Sequence, residues 1–355
     1  MSVRVIATSC QGASDSAFRI RLELPGRALA AHGVALELFP LFSADQAGRF
    51  RSGGAGVKAR TLATARRRLM RELRAAKESH TVIVQRQVDL APSFALERVA
   101  VSGRRLIYDV DDAIWLTGKQ TGGHPLSILK GSRRKVGWLA GRAEHVIAGN
   151  EILAEYLATY AKNVTVVPSL VDPSSYALRG HEQAEEVTLG WIGSPTTAPY
   201  LRTVAPVLEQ FAKQTRSKVH LVVVGGAAPH IAGVQVENRA WNPDAERKAL
   251  AEMDIGLMPL DDTPWSRGKC AYKALQYMAC GIPPVVDDVG ISAETVSGAG
   301  CVAADSRQWL EALHALADDP DFRTRLGGVG RRRIEDDFSF DRWIPTLAAI
   351  MRGSG

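Results

Sequence analysis

Cysteine is scarce in this chain, with four among 355 residues. Cys10, Cys270, Cys280 and Cys301 form no CxxC pair and stand at no metal-ligand spacing from the eight histidines. A disulfide framework or a structural zinc site is therefore not expected, and the four thiols read as reduced core residues. Long apolar runs are missing as well: none reaches the ~20 residues that cross a bilayer, so a membrane-spanning helix is not expected. The N-terminal MSVRVIATSC enters a strand-like run directly, without the apolar core and small-residue cleavage site of a secretory leader, and a cytoplasmic location is the expectation. No G-x-G-x-x-G follows the first strand and no G-x-x-x-x-G-K-[ST] occurs, which sets aside dinucleotide cofactors and P-loop nucleotidases.

What remains is a globular composition, 46% hydrophobic and 23% charged, on a chain long enough for two domains. Short aliphatic runs (VRVIA at 3–7, VALELFPL at 34–41, TVIVQ at 81–85, RLIYDV at 105–110, HVIAG at 145–149) alternate with Ala/Leu/Arg-rich helical stretches. That alternation predicts a parallel sheet flanked by helices. The stretch VVPSLVDPSSYALRG breaks it at 166–180, and it restarts with VTLGWIG at 187–193 and VHLVVVGG at 219–226, then DIGLMPL, PPVVDD and CVAAD. Two α/β domains are expected, 1–170 and 171–339, with a final helix over 340–355 returning to the first.

The charge of +6 is unevenly spread: ten Lys/Arg and one acid lie between Arg49 and Lys77. Leu62, Leu69, Met70 and Leu73 recur there near helical spacing, which predicts an amphipathic helix with its arginines outward. Such a face suits contact with anionic lipid headgroups, and it equally suits plain solvation. With aromatics at 6% and no recognition motif, nucleic acid is not expected as a partner.

In open parallel sheets ligands sit beyond the carboxyl ends of the strands, which directs attention to three loops: CQGASDS (10–16), GSPTT (193–197) and PWSRGK (264–269). After the third, a helix is expected over 269–279, placing Lys269, Tyr272, Lys273 and Gln276 on one face. Cations at a helix N-terminus are locally unfavourable, so the arrangement calls for an anion, most simply a diphosphate, with Arg267 beside it. Asp109, Asp111 and Asp112 follow another strand and leave three readings open: a metal, an acceptor hydroxyl, or capping and structural bonding. Gly12, Ser14 and Arg19 belong to the first strand's loop, and His124 lies in TGKQTGGHP as a candidate acid-base group.

Residues 264–296, with QYMACGIPPV at 276–285, resemble the donor-site segment of the retaining GT-B glycosyltransferases of family 4, and so do RLIYDVDDAIWL, AEHVIAGNEILAEYL, VVPSLVD and GWIGSPTTAPYL. The resemblance implies a GT-B fold: two Rossmann-like domains whose parallel sheets face across a cleft, a nucleotide-diphospho-sugar held by the second domain, and an acceptor, small or lipid-linked, held by the first. It implies no cofactor and no catalytic metal. Donor contacts are expected from Gly193, Ser194, Thr196, Trp241, Tyr272, Lys273 and Gln276, and acceptor contacts from Gly12, Ser14, Arg19, Asp109, Asp112 and His124. Arg267 and Lys269 are expected to stabilise the leaving diphosphate. Two departures stand out. Where the family carries two glutamates this chain has Gly268 and Gln276, and where it carries an Arg/Lys pair this chain has Gly193 to Thr197. Those departures keep two other readings in play, another GT-B enzyme such as an epimerase or phosphorylase, and a non-catalytic nucleotide-sugar-binding protein.

Overall fold

The structure is a computed structural model that describes residues 2–12, 15–116 and 132–353. Ser14 and His124 lie outside the described residues. Two compact units emerge: Met1–Leu170 with Thr263–Cys270 and Trp343–Gly355, and Val171–Asp262 with Ala271–Arg342. Thr263–Cys270 thus clusters with the first unit although it falls within 171–339 of the chain.

The first unit holds β1 (Val3–Gly12), β2 (Val34–Phe42), β3 (Thr81–Gln85), β4 (Arg105–Val110), β5 (His145–Ala148) and β6 (Val164–Val166). They form one parallel sheet in the order β2-β1-β3-β4-β5-β6. The chain steps outward from β1 to β2 and then crosses to β3 on the other side, so the order reverses between β1 and β3. A central strand such as β3, TVIVQ, is buried along its whole length, as a doubly covered parallel strand must be. The helix Ala55–Ala75 packs Thr61, Ala65, Leu69 and Leu73, each four residues apart, onto this unit and turns Arg60, Arg67, Arg71 and Arg74 outward. The C-terminal helix is tied to the same unit, where Arg105 donates to Ile350 O at 3.0 Å and Arg352 to His32 O at 2.8 Å.

The second unit holds β7 (Glu186–Ile192), β8 (Lys218–Val224), β9 (Val234–Arg239), β10 (Ile255–Met258), β11 (Pro284–Asp287) and β12 (Cys301–Ala303). The sheet order is β12-β11-β10-β7-β8-β9, again parallel throughout, with the reversal between β7 and β10. The α/β reading with two Rossmann-like sheets therefore holds. The edge strands β6 and β9 were not anticipated: β6 has three half-buried residues, and β9, VQVENR, is mostly polar with half of its residues exposed, so neither shows the apolar run that marks a central strand.

One expected element is corrected. The helix begins at Tyr272, not at Lys269, because Ala271 adopts a left-handed conformation (φ 49°) that separates it from the short helix Pro264–Arg267. Lys269 is therefore not on one helical face with Tyr272, Lys273 and Gln276. The cause is tertiary. Asn150, which caps the helix Glu151–Ala158 through its Oδ1, donates from Nδ2 to the carbonyls of Gly268 and Lys269 at 3.2 Å each, which ties the turn after Pro264–Arg267 to that helix start.

Candidate functional site

In the second unit the carboxyl ends of β7, β8 and β10 converge on one set of side chains. Tyr277, from the helix Tyr272–Ala279, lays its ring where a Gly256 side chain would stand, at 2.3 Å from the Cβ position. Its hydroxyl accepts from Ile192 N (3.1 Å) and donates to Leu257 O (3.3 Å). The helix is thereby pinned across the β7/β10 reversal, the place where open α/β sheets bind ligands. Lys273, one turn earlier, brings its ammonium to 5.4 Å from the centre of the Trp191 ring. That ring is buried and fills the space beneath the turns after β7 and β8, where a Cβ on Gly193 would lie 2.3 Å from it.

The turn after β7 is built from hydroxyls. Thr197 Oγ1 accepts from Ser194 N at 3.1 Å, and Ser194 Oγ and Thr196 Oγ1 are 2.8 Å apart. Gly225, at the end of β8, has φ +80° and passes so close to Gly193 O (2.2 Å from the Cβ position) that no other residue fits there. The same position lies 3.1 Å from Trp241 Cβ, which places Trp241, 38% exposed, beside the turn. Gly193, Ser194, Thr196, Trp241, Tyr272, Lys273 and Gln276 all lie in this unit. Gln276, however, is buried, and its amide donates to Glu246 Oε1 at 3.0 Å and toward the Tyr176 hydroxyl at 3.4 Å.

The first unit gathers charge at the ends of β1, β3 and β4. Arg86 follows β3 in the left-handed region (φ 62°) and bridges Asp111 (2.6 and 2.9 Å) and Asp112 (2.9 Å). Gln85 adds a bond to Asp111 Oδ1 at 2.9 Å. Burial alone would raise the Asp111 carboxyl, but Arg86 and Gln85 outweigh it and hold its pKa below the ordinary value. Lys269 Nζ stands 3.6 Å from Asp112 Oδ1 and 5.1 Å above the Trp265 ring. Arg267 is exposed at the end of the neighbouring short helix.

Asp109 and Gly12 are more enclosed than their expected role requires. Asp109 is buried against Arg21, whose Nε reaches Oδ2 at 3.1 Å while its Nη1 bonds the carbonyls of Val167 (2.9 Å) and Pro168 (2.8 Å). Gly12 sits at an irregularity of the β1/β2 pairing, its Cβ position 2.7 Å from Phe42 O. Arg19 opens a π-helical turn, Arg19–Glu23, and is half-buried. The structure thus groups Asp112 with Lys269 in one unit and Lys273 with Trp191 in the other. Among the described residues no group of three or more His, Cys, Asp or Glu side chains is disposed to hold a metal ion.

Sequence reasoning missed Arg86, Glu246 and Tyr176. An arginine after a strand carries no signal of its own, and Glu246 reads as an ordinary acid in the first turn of the helix Pro243–Glu252. A partial signal lay in Asn242 and Pro243, which fix that helix start and hence the turn from which Glu246 points.

Comparison with solved structures decides the fold. Sucrose-phosphate synthase from Thermosynechococcus elongatus superposes with a TM-score of 0.71 over 99% of this chain and 98% of its own, at 15% identity. HepE of Anabaena, solved with UDP and glucose, gives 0.67 over 99% and 100%, at 14% identity. The fold is GT-B. Within it, residues 186–319 match the family model for glycosyl transferases group 1. A curated relative, D-inositol 3-phosphate glycosyltransferase of Kineococcus radiotolerans, is 28% identical over 229 residues, 52% of this chain. The match spans about half, 50%, of that relative's length. The family match is thus confined to residues 186–319, while the GT-B likeness spans the chain.

Proposed function

We propose that the chain is a glycosyltransferase that moves a sugar from a nucleotide-diphospho-sugar to an acceptor hydroxyl, with retention at the anomeric carbon. The observation that carries this reading is the convergence in the second unit of a hydroxyl-lined turn (Ser194, Thr196, Thr197), a lysine (Lys273) and a partly exposed tryptophan (Trp241) at the β7/β10 reversal. This is a phosphate-and-base environment: small hydroxyls and backbone N–H groups donate to phosphate oxygens, a cation balances their charge, and an aromatic face meets a base. The group 1 match covers these turns, 186–319, and supports the same assignment.

Cleaving the bond to a nucleoside diphosphate builds negative charge on the leaving phosphate while the sugar becomes oxocarbenium-like. Fixed cations stabilise that charge with little reorganisation. Lys273 is assigned this task from the second unit, and Arg267 and Lys269 are assigned it from the segment Thr263–Cys270. The reading names no cofactor and no metal, and it rests there on the family resemblance. Asp112 and Arg19 are assigned to the acceptor. Asp109 keeps its assignment only through its neighbours, since its own carboxylate is committed to Arg21.

The acceptor is proposed to be lipid-linked and the enzyme to work at the inner face of the cell membrane. Supporting this, Arg60, Arg67, Arg71 and Arg74 lie exposed on the helix Ala55–Ala75. No described helix is long and apolar enough to cross a membrane.

A thermal-shift titration with UDP, GDP, ADP, CDP and dTDP tests the central claim, because a ligand bound only by the native state raises the midpoint with the logarithm of its concentration. One of the five is expected to shift the transition well beyond the rest. A flat response to all of them would overturn the donor assignment, and consumption of the matching nucleotide-sugar only when acceptor is present would separate transfer from epimerisation.

A further inference from the structure

The buried carboxylate of Glu246 has no place in the assignment above, yet it joins Trp241, which has one, to Gln276, an expected donor contact. Its Oε2 accepts from Trp241 Nε1 at 2.6 Å, and its Oε1 accepts from Gln276 Nε2 at 3.0 Å. Gln276 reaches on to the Tyr176 hydroxyl at 3.4 Å, and Tyr176 is in turn bonded to Tyr272. A single polar chain therefore runs from Val171–Asp262 through the helix Tyr272–Ala279 and ends at the exposed indole.

Three features show what this chain is for. Trp241 lies in the short link between the edge strand β9 and the helix cap at Asn242. Trp241 is 38% exposed beside the close Gly193–Gly225 approach, whereas Glu246 is only 6% exposed. A carboxylate oxygen accepts and an indole N–H donates, so the bond has one direction and ties the edge of the ring to the buried side chain. A large apolar ring tethered at its edge beside a ligand-binding strand end is a ready surface for a flat partner, because part of the cost of ordering it is met before binding.

We infer that Glu246 is a positioning residue for the nucleoside half of the donor: it orients Trp241 as the face on which the base stacks, and it holds the Gln276 amide alongside. The inference rests on the donor reading above and deepens it. It also accounts for the neutral Gln276 in a position where the resembling family carries a carboxylate, since the negative charge is present on the adjacent helix, one hydrogen bond away.

The test uses the full chain and two readouts. In a 1H–15N spectrum the Trp241 indole resonance, assigned by its loss in Trp241→Phe, is expected far downfield and is expected to move upfield in Glu246→Gln, which keeps the shape and removes the charge. By calorimetry with the nucleoside diphosphate that binds the unsubstituted protein, Glu246→Gln is expected to weaken binding on the order of ten-fold. The same substitution made in Trp241→Ala is expected to add little, and affinity for inorganic pyrophosphate is expected to stay constant. A purely structural role would lower the affinities for both ligands, and additively. Unchanged nucleotide affinity in Glu246→Gln, or an equal further loss in the Trp241→Ala background, would overturn this inference while leaving the donor reading intact. Failure of the unsubstituted protein to bind any of the five nucleotides would overturn both.

Discussion

Lys269 shares Asp112 with Arg86: its ammonium lies 3.6 Å from one carboxylate oxygen, and the guanidinium lies 2.9 Å from the other. The lysine is thus partly balanced but not consumed, since Asp112 keeps its arginine whatever happens at position 269. Lys269→Met should consequently fold normally. As an assigned phosphate partner it should weaken nucleoside diphosphate binding on the order of ten-fold, as should Arg267→Ala. Asp112→Asn should act the opposite way on the diphosphate by freeing the lysine, and raise KM for the acceptor. Calorimetry on the three variants decides the matter, and equal diphosphate affinity in all of them would remove Arg267 and Lys269 from the site.

Arg21 and Asp109 form an enclosed pair whose remaining donors are bonded to Val167 O and Pro168 O. Removing one partner strands the other charge in the interior, which typically costs about 3–5 kcal/mol. Asp109→Ala and Arg21→Ala should each lower the urea midpoint by a corresponding amount. If Asp109→Ala instead left stability untouched and altered only acceptor KM, Asp109 would be a direct acceptor contact.

The pair Arg86–Asp111 gives a pH signature. The folded Asp111 pKa is depressed below the ordinary 3.8, so its contribution to stability is complete above about that pH and is lost as pH falls through the folded value. Asp15, Asp109 and Glu97 are raised by burial and contribute with the opposite sign, their folded forms gaining stability as they take up protons. The difference in unfolding free energy between the parent protein and Arg86→Met reports the carboxylates that Arg86 holds, Asp111 foremost. It should be largest near neutrality and shrink below pH 4. A difference constant from pH 7 to pH 2 would contradict the assignment.

The outward arginines of the helix Ala55–Ala75 should behave as a lipid contact. Each Lys or Arg near an anionic surface contributes ~1 kcal/mol, so Arg67→Glu, Arg71→Glu and Arg74→Glu together should reduce co-sedimentation with phosphatidylserine vesicles by on the order of 100-fold or more. The inward face, Thr61, Ala65, Leu69 and Leu73, is unaltered and the melting temperature should hold. Equal sedimentation of both proteins, or none by the parent, would mark the helix as merely solvated.

The sequence by itself determined the alternation of β and α, the reversal-prone two-sheet plan, and the chemistry of the loops, because buried parallel strands need continuous apolar runs and glycine-, hydroxyl- and lysine-rich turns have few other uses. VTLGWIG and VHLVVVGG announce the ends of β7 and β8 without any coordinates. Only the tertiary structure decided which charges remain available at those ends. Helical spacing put Lys269 in line with Lys273 and Gln276, but two hydrogen bonds from Asn150, remote in sequence, hold the carbonyls of Gly268 and Lys269, and the chain turns at Ala271 through a left-handed conformation. Asp109 and Asp112 look alike three residues apart, and one is enclosed by Arg21 while the other faces Lys269. Gln276 looked free to meet a ribose, and Glu246, thirty residues away, holds its amide. Local propensity is written in neighbouring residues; the partner of a buried charge is chosen by packing between elements, and no local pattern encodes it.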